Sequence, residues 1–182
     1  SKDDLKPALS GVYLNISNSE TTAVATDGHR LVKYVQKRES NQKQSLVIPG
    51  KFLKIIRNTI TEEEMLVVNI DDKTLSTQQG VFTITTRIIK ETFPDFNSVI
   101  PDNNTIQATL DSDKLISCLK RVSIFSNRTT KQTVLSFSDQ SVVVSAQDPE
   151  TSTSGKEHAE CDYEGEALTV SYNAKYLIEV LQ

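Results

Sequence analysis

One structural unit occurs twice along this chain, and the repeat constrains the fold more than any other feature of the sequence. Residues 12–17 and 23–27 have the pattern strand, turn, strand, and residues 134–138 and 142–148 have it again. Each copy ends in an aspartate, and Asp27 and Asp148 lie 121 positions apart, about one domain length. The sequence therefore predicts two related domains.

In each copy a further strand leads into a short helix. Residues 46–48 run into a predicted helix at 51–58, and residues 168–170 run into one at 174–181. The first of these helices is amphipathic, because basic residues recur at every third position beside an apolar set formed by Phe52, Leu53, Ile55 and Ile56.

A third helix is predicted at 113–122, with Asp111 or Ser112 as its N-cap. Residues 81–86 alternate in the manner of a strand in a sheet with one buried face. Antiparallel sheets with a few short amphipathic helices on one side belong to the α+β class, which is the fold class that we predict.

The turn-forming run at 101–104 predicts a linker between domains at 1–101 and 105–182. Residues 5–10 lead directly into the later strands of the first copy, whereas the second copy opens with a strand at 105–109 and the helix at 113–122. In the first copy, β-rich segments at 65–70, 74–78 and 80–89 follow the helix, and the second copy has no counterpart. We therefore expect both domains to be truncated, the first at its beginning and the second at its end.

The composition limits the kinds of function that the protein can have. The formal net charge is −4, which does not indicate a protein that coats DNA through overall positive charge but permits a local basic surface. Cys118 and Cys161 lie far apart without metal-ligand spacing, so a reduced, cytoplasmic protein is expected. The sequence has no apolar run of membrane-spanning length, so we expect no membrane partner.

The sequence also has few of the parts that enzymes use. Its two histidines, His29 and His158, have no metal-binding arrangement, and neither a phosphate-binding glycine loop nor a nucleophile elbow occurs. We expect no catalytic residues, no metal and no cofactor. The alternative on these residues is an enzyme that uses Asp27 and His29.

The heptapeptide Ala-Thr-Asp-Gly-His-Arg-Leu at 25–31 places a turn dipeptide, Asp27-Gly28, between two β-rich segments. The turn presents His29 and Arg30 beside the apolar Leu31. From the residues alone, this is a surface hairpin with incidental polar side chains.

The heptapeptide follows Lys-Pro-Ala-Leu-Ser-Gly at 6–11, and Phe-Pro-Asp-Phe at 93–96 and Asn-Ala-Lys-Tyr at 173–176 come later. These four motifs, in this order and at this spacing, resemble the bacterial sliding clamp, the beta subunit of DNA polymerase III, nearly end to end. The resemblance implies the DNA-clamp fold, with antiparallel sheets outside a ring and helices on its inner face. It also implies a non-catalytic processivity factor of DNA replication that encircles double-stranded DNA without reading its sequence.

The resemblance further implies one pocket per subunit, in which short linear peptides of DNA polymerase, the clamp loader and repair proteins dock. The residues that match this pocket are Lys6, Leu9, Thr26, Gly28, His29, Arg30, Leu31, Pro94, Val99, Asn173 and Tyr176. The alternative for Leu9, Leu31 and Val99 is burial in the core.

The chain departs from the family at the pocket in three ways. Lys6 stands where the family often has arginine, and Ser98 occupies a position that is basic in some clamps. The family completes its pocket with residues that would lie beyond Gln182. We therefore expect this chain alone to bind peptides weakly.

In the clamp family, basic residues on the inner helices contact DNA phosphates. The matching candidates here are Lys51, Lys54, Arg57, Lys114, Lys120 and Arg121. The alternative is that these residues are ordinary solvated charge on exposed helix faces.

Family members close as head-to-tail homodimers of three-domain subunits. Ile124 and Phe125 match the apolar pair that the third domain offers to its neighbour, and the alternative for them is ordinary packing at a helix end. We expect this chain alone to be monomeric or to associate non-natively. The rival to the clamp is a β-rich interaction module unrelated to replication.

Overall fold

The computed structural model describes residues 6–61 and 63–182, so residues 1–5 and residue 62 of the predicted first domain lie outside the described residues. The chain divides into two compact units, which comprise residues 1–100 and 101–182. They are called the first unit and the second unit below.

The first unit begins with a short 3₁₀ turn at Pro7–Ser10 and continues into four strands: β1 at Gly11–Ile16, β2 at Glu20–Thr26, β3 at Leu31–Lys37 and β4 at Gln44–Pro49. They form an antiparallel sheet in the order β3-β2-β1-β4. Helix α1 follows at Gly50–Thr59, and three more strands form a second sheet: β5 at Val67–Ile70, β6 at Thr74–Gln79 and β7 at Phe82–Arg87. A second 3₁₀ turn lies at Asn97–Val99.

The apolar side of α1 is narrower than its sequence predicts. Phe52 and Ile56 are buried with Leu46, Ile48 and Leu75 in one core cluster, and Leu53 is half-buried at its margin. The expectation that Ile55 shares this side was wrong, since it is 52% exposed. One turn of helix separates Phe52 from Ile56, whereas Ile55 lies at the flank of the face that these two residues define.

The second unit contains β8 at Ala108–Thr109, helix α2 at Ser112–Val122 and a 3₁₀ turn at Ser123–Phe125. Strands follow at Gln132–Ser138 (β9), Ser141–Asp148 (β10), Thr153–Glu160 (β11), Asp162–Tyr163 (β12) and Leu168–Asn173 (β13), and helix α3 runs over Ala174–Leu181. The main sheet has the order β11-β10-β9-β13, and β12 pairs with β8. The core lies between this sheet and the two helices, where Leu119, Val122, Val142 and Val144 are almost completely buried.

The two main sheets have the same topology. In each, the second strand is central, the third is at one edge, and the fourth pairs with the first and leads directly into a helix. This shared order confirms the repeat and the α+β class that the sequence predicts.

Two strands are shorter than predicted. The strand expected at 105–109 is only Ala108–Thr109, and the one expected at 80–89 is Phe82–Arg87. The latter begins late because Gly80 adopts a positive φ of 54°, which turns the chain, and Val81 is 94% exposed. Of the two N-cap candidates for α2, Asp111 and Ser112, the structure shows Asp111 in this position. Its Oδ1 accepts a hydrogen bond of 2.9 Å from the backbone N–H of Lys114.

Within the described residues, every helix is too short or too polar to cross a membrane.

Leu119→Ala is expected to destabilise the chain by about 2–5 kcal/mol, because it removes a completely buried side chain at the centre of the second-unit core. Urea unfolding followed by circular dichroism measures this. Val180→Ala is the control, since Val180 is 58% exposed on α3, and its effect is expected to stay within about 0.5 kcal/mol. Equal destabilisation by the two substitutions would contradict this placement of the core.

Candidate functional site

The carboxylate of Asp27 organises the turn between β2 and β3. Its Oδ1 accepts hydrogen bonds of 3.1 Å from the backbone N–H groups of His29 and Arg30, and its Oδ2 accepts one of 3.1 Å from Nε of Arg30. Burial acts to raise the pKa of Asp27, but the hydrogen bonds from His29 and Arg30 outweigh it and hold the pKa below its usual value. The carboxylate thus fixes the loop that displays His29 and Arg30.

Thr26 and Gly28 complete this turn. The Thr26 hydroxyl donates to the carbonyl oxygen of Arg30 at 2.7 Å and accepts from the backbone N–H of Gly28 at 3.1 Å. Gly28 has a φ of 86°, a conformation that other residues adopt at a cost. These two predicted site residues act by shaping the backbone.

The apolar members of the predicted site differ in exposure. Leu9 is buried, so the alternative of core packing holds for it, and Leu31 is half-buried against a cluster that contains Val24 and Phe93. Val99 is 67% exposed and Pro94 is also exposed. Burial in the core therefore does not account for Val99, and Leu31 presents only part of its side chain.

An aromatic cluster lies beside these residues, and sequence reasoning missed it. The Tyr13 ring stacks on Phe93 with centroids 5.3 Å apart, and Phe96 lies 5.9 Å from Tyr13. The Lys33 ammonium is 5.5 Å from the centroid of Phe96. The two aromatic residues of Phe-Pro-Asp-Phe could have indicated such a cluster. Their partner Tyr13 could not be identified from the sequence, because it lies eighty positions before Phe93.

The cluster borders an open groove of about 710 Å³ in the first unit, whose lining includes Tyr13, Val47, Phe93, Pro94 and Phe96. Pro94 is the one predicted site residue among those that line this groove. At the other end of the same segment, the Ser98 hydroxyl donates to the carbonyl oxygen of Asp95 at 2.9 Å. Ser98 thereby closes its own turn.

Asn173 and Tyr176 belong to the second unit. Oδ1 of Asn173 accepts from the backbone N–H groups of Lys175 at 3.0 Å and Tyr176 at 3.3 Å, which caps α3. Its Nδ2 donates to the carbonyl oxygen of Thr130 at 3.0 Å. Asn173 therefore ties the start of α3 to the loop before β9, and Tyr176 lies half-buried on the first turn of the helix.

The basic residues of α1 form a continuous exposed stripe. Lys51, Lys54 and Arg57 are all exposed on the side of the helix away from Phe52 and Ile56, and no acidic residue occurs in Gly50–Thr59. Among the described residues, none of the three forms an ion pair. This set is called the α1 stripe below.

Two of the three basic residues of α2, unlike those of α1, lie close to carboxylates of β11. The Arg121 guanidinium donates two hydrogen bonds of 2.6 Å to the carboxylate of Glu157 on β11, and Lys114 Nζ lies 4.0 Å from Oε2 of Glu160. Lys120 is exposed, and no ion pair is found for it within residues 6–61 and 63–182. The structure therefore groups the three residues on one helix but directs Arg121 toward the sheet.

Ile124 and Phe125 lie in the 3₁₀ turn after α2 and are 76% and 38% exposed. The Phe125 ring packs on Gly155 of β11, where a Cβ atom would collide with it. Ile124 is thus mostly exposed to solvent, whereas Phe125 is partly held by the sheet.

Across the described ranges, no group of three or more His, Cys, Asp or Glu residues is arranged to hold a metal ion. Both cysteines are free and buried, and burial raises the pKa of the Cys118 and Cys161 thiols.

Sequence comparison identifies related proteins over the whole chain. The family model of the DNA polymerase III beta subunit, central domain, matches residues 1–95, and that of the C-terminal domain matches residues 97–182. The beta sliding clamp of Lactococcus lactis is 30% identical over 188 residues, and that of Chlamydia muridarum is 29% identical over 184 residues. Each alignment covers 100% of this chain and 50% of the relative, so the chain spans about half the length of the curated relatives it matches.

Solved structures give the same result for the fold. A crystal structure of the DNA polymerase III subunit beta from Pseudomonas aeruginosa matches with a TM-score of 0.93 and 25% sequence identity, over 100% of this chain and 50% of that chain. A sliding clamp from Bartonella birtlesii matches with a TM-score of 0.90 at 23% identity, over 100% of this chain and 50% of that one, and supports the fold alone. With both domain models matched in order, the chain belongs to the DNA polymerase III beta subunit family, the bacterial sliding clamps.

Proposed function

We propose that this chain is the middle and C-terminal part of a replication clamp, which encircles duplex DNA and tethers a polymerase to it. The observation that carries the proposal is the match of two clamp domains in order, over the whole chain, with a clamp fold. The division of the chain into compact units between residues 100 and 101, close to the point where one domain model gives way to the other, supports two consecutive clamp domains. No observation favours the rival, an interaction module unrelated to replication.

The partners are short linear peptides of DNA polymerase, the clamp loader and repair proteins. In the first unit, the support for this is a rigid turn that displays His29 and Arg30 beside the half-buried Leu31 and a segment with the exposed Pro94 and Val99. Apolar side chains bounded by fixed polar groups are typical of peptide-binding sites. In the second unit, Asn173 accepts a hydrogen bond from the backbone N–H of Tyr176 and so holds this residue, which matches the family's pocket, at the start of α3.

DNA contact is assigned mainly to the α1 stripe. Its three cations have no acidic neighbours on the helix, and exposed cations bind phosphates without reading the base sequence. Lys120 adds a further cation on α2. A protein with a net charge of −4 and a local basic stripe is suited to hold DNA loosely, because the rest of its surface repels phosphate.

The proposed work involves no bond chemistry and is carried out in the cytoplasm. Both oxygens of the Asp27 carboxylate accept hydrogen bonds within the turn, which supports a structural role for the residue and weakens the case for an enzyme that uses Asp27 and His29. Ring closure as a head-to-tail homodimer is assigned to Ile124 and Phe125, whose exposure supports a role in subunit contact.

Leu31→Asp and Val99→Asp are each expected to weaken binding of a labelled peptide that has Gln followed by a Leu- and Phe-rich tail. A charge placed among apolar anchors costs about 1–3 kcal/mol, which corresponds to an increase in Kd of about 5- to 150-fold. Fluorescence polarisation with the intact gene product and with this chain measures the effect. Val99 is 67% exposed, so its substitution leaves the fold unaffected even if Leu31→Asp disturbs the core.

Val32→Asp is the matched control. Val32 is the next residue on β3, points to the opposite face of the sheet and is 61% exposed. Its variant is expected to bind like the original protein. A folded gene product that binds no such peptide would overturn the docking proposal, as would equal binding by all three variants.

Replacing the whole α1 stripe with alanine is expected to weaken association of the intact gene product with duplex DNA. The plot of log K against log salt concentration has a negative slope, and its magnitude falls by about 0.9 for each phosphate that the protein no longer neutralises. The control carries the same charge change in exposed residues outside the helices: Lys37, Arg38 and Lys43 replaced by alanine. Equal weakening in the two triple variants would mean that net charge, and not the α1 stripe, determines association.

A further inference from the structure

One cation of α2, Arg121, is firmly paired with a carboxylate of β11, whereas none of the α1 stripe forms an ion pair among the described residues. Nε and Nη2 of Arg121 each lie 2.6 Å from an oxygen of the Glu157 carboxylate, across 36 residues of sequence. The pair of Lys114 and Glu160 is long, at 4.0 Å, and both side chains are well exposed, so it contributes little. The interaction that matters is therefore the one between Arg121 and Glu157.

Two sets of contacts hold this pair in place. Its two parallel hydrogen bonds match the planar geometries of guanidinium and carboxylate. Nη2 of Arg121 also lies 3.7 Å from Sγ of the buried Cys118, one helical turn earlier. The hydrogen bond from Arg121, and secondarily the one from Cys118, lowers the pKa of Glu157 to about 2. The carboxylate is therefore charged at any pH at which DNA binding is studied.

We infer that Glu157 is a positioning residue for the DNA-facing surface, because it holds Arg121 against β11 and keeps that cation from the phosphates. The inference rests on the proposed function, in which α2 faces DNA. A phosphate that approaches Arg121 must displace a carboxylate that already accepts from two of its N–H groups, so the exchange gains little. Arg121 then contributes less to DNA association than the unpaired Lys120 or the residues of the α1 stripe.

This arrangement weakens the non-specific grip of α2 on DNA. Counterion release scales with the number of phosphates that the protein neutralises, so each cation withheld makes association weaker and less dependent on salt. A ring that must move along DNA is served by fewer fixed contacts. Glu157 on β11 thus lowers the affinity of α2 for DNA without any change in the sequence of the helix.

The test is Glu157→Gln in the intact gene product, with binding to a short linear duplex measured by fluorescence anisotropy over a range of salt concentrations. The variant keeps the shape of the side chain and removes its charge. The expected result is about tenfold tighter association at about 50 mM salt, with a slope of log K against log salt that is steeper by about 0.9. An unchanged affinity and slope would overturn the inference.

Two controls separate the ion pair from general charge. Glu164→Gln makes the same charge change in the loop between β12 and β13, where Glu164 has no ion pair among the described residues, and is expected to leave the slope unchanged. In an Arg121→Ala background, Glu157→Gln is expected to have no further effect. A gain that persists in that background, or an equal gain with Glu164→Gln, would overturn the inference.

Lys54→Ala distinguishes this inference from the proposed function. If Lys54→Ala weakens DNA association and Glu157→Gln does not strengthen it, the DNA-facing assignment stands and the role of Glu157 falls. If neither Lys54→Ala nor Lys120→Ala affects association, the DNA-facing assignment itself fails. Thermal unfolding of each variant verifies that the fold is retained.

Discussion

In each main sheet, the pairing of the fourth strand with the first determines how the following helix is placed. In the first unit, Gly11 pairs with Pro49, and α1 begins at the next residue. A Cβ atom on Gly11 would lie 2.7 Å from the carbonyl oxygen of Ile48, so a residue without a side chain is needed at this contact. In the second unit, Asn173 pairs with Gln132 and α3 follows at once. The register of the sheet thus determines where each helix starts and which side it exposes.

Several polar residues of the sequence motifs hold the backbone of this architecture in place. The side chain of Asp27 holds the turn after β2, and Asp148, its counterpart in the repeat, does the same after β10 by accepting from the backbone N–H of Glu150 at 3.1 Å. Asn173 caps a helix in the same way. A residue that shapes the backbone still matters to a binding site, because it determines where neighbouring side chains are displayed.

Local patterns were enough to predict most of the elements. Helical periodicity, the Asp111 cap and the strand-to-helix transitions all depend on residues within a few positions of one another, and the sequence placed all three helices to within a residue or two. The long-range contacts could not be predicted in this way. Arg121 looked like a free cation on its helix, since nothing nearby in sequence indicates that Glu157 on β11 reaches it. Tyr13 and Phe93 are brought together only by the folded sheet.

We propose that the protein retains DNA by enclosing it and not by affinity. In the most informative experiment, a bacterial clamp loader is used to load the intact gene product onto a nicked circular plasmid. Gel filtration then measures its retention before and after the plasmid is cut once. If the protein encloses DNA, it remains on the circle at salt concentrations that abolish ionic contacts and leaves when the plasmid becomes linear. Equal retention on circular and linear DNA would contradict this proposal.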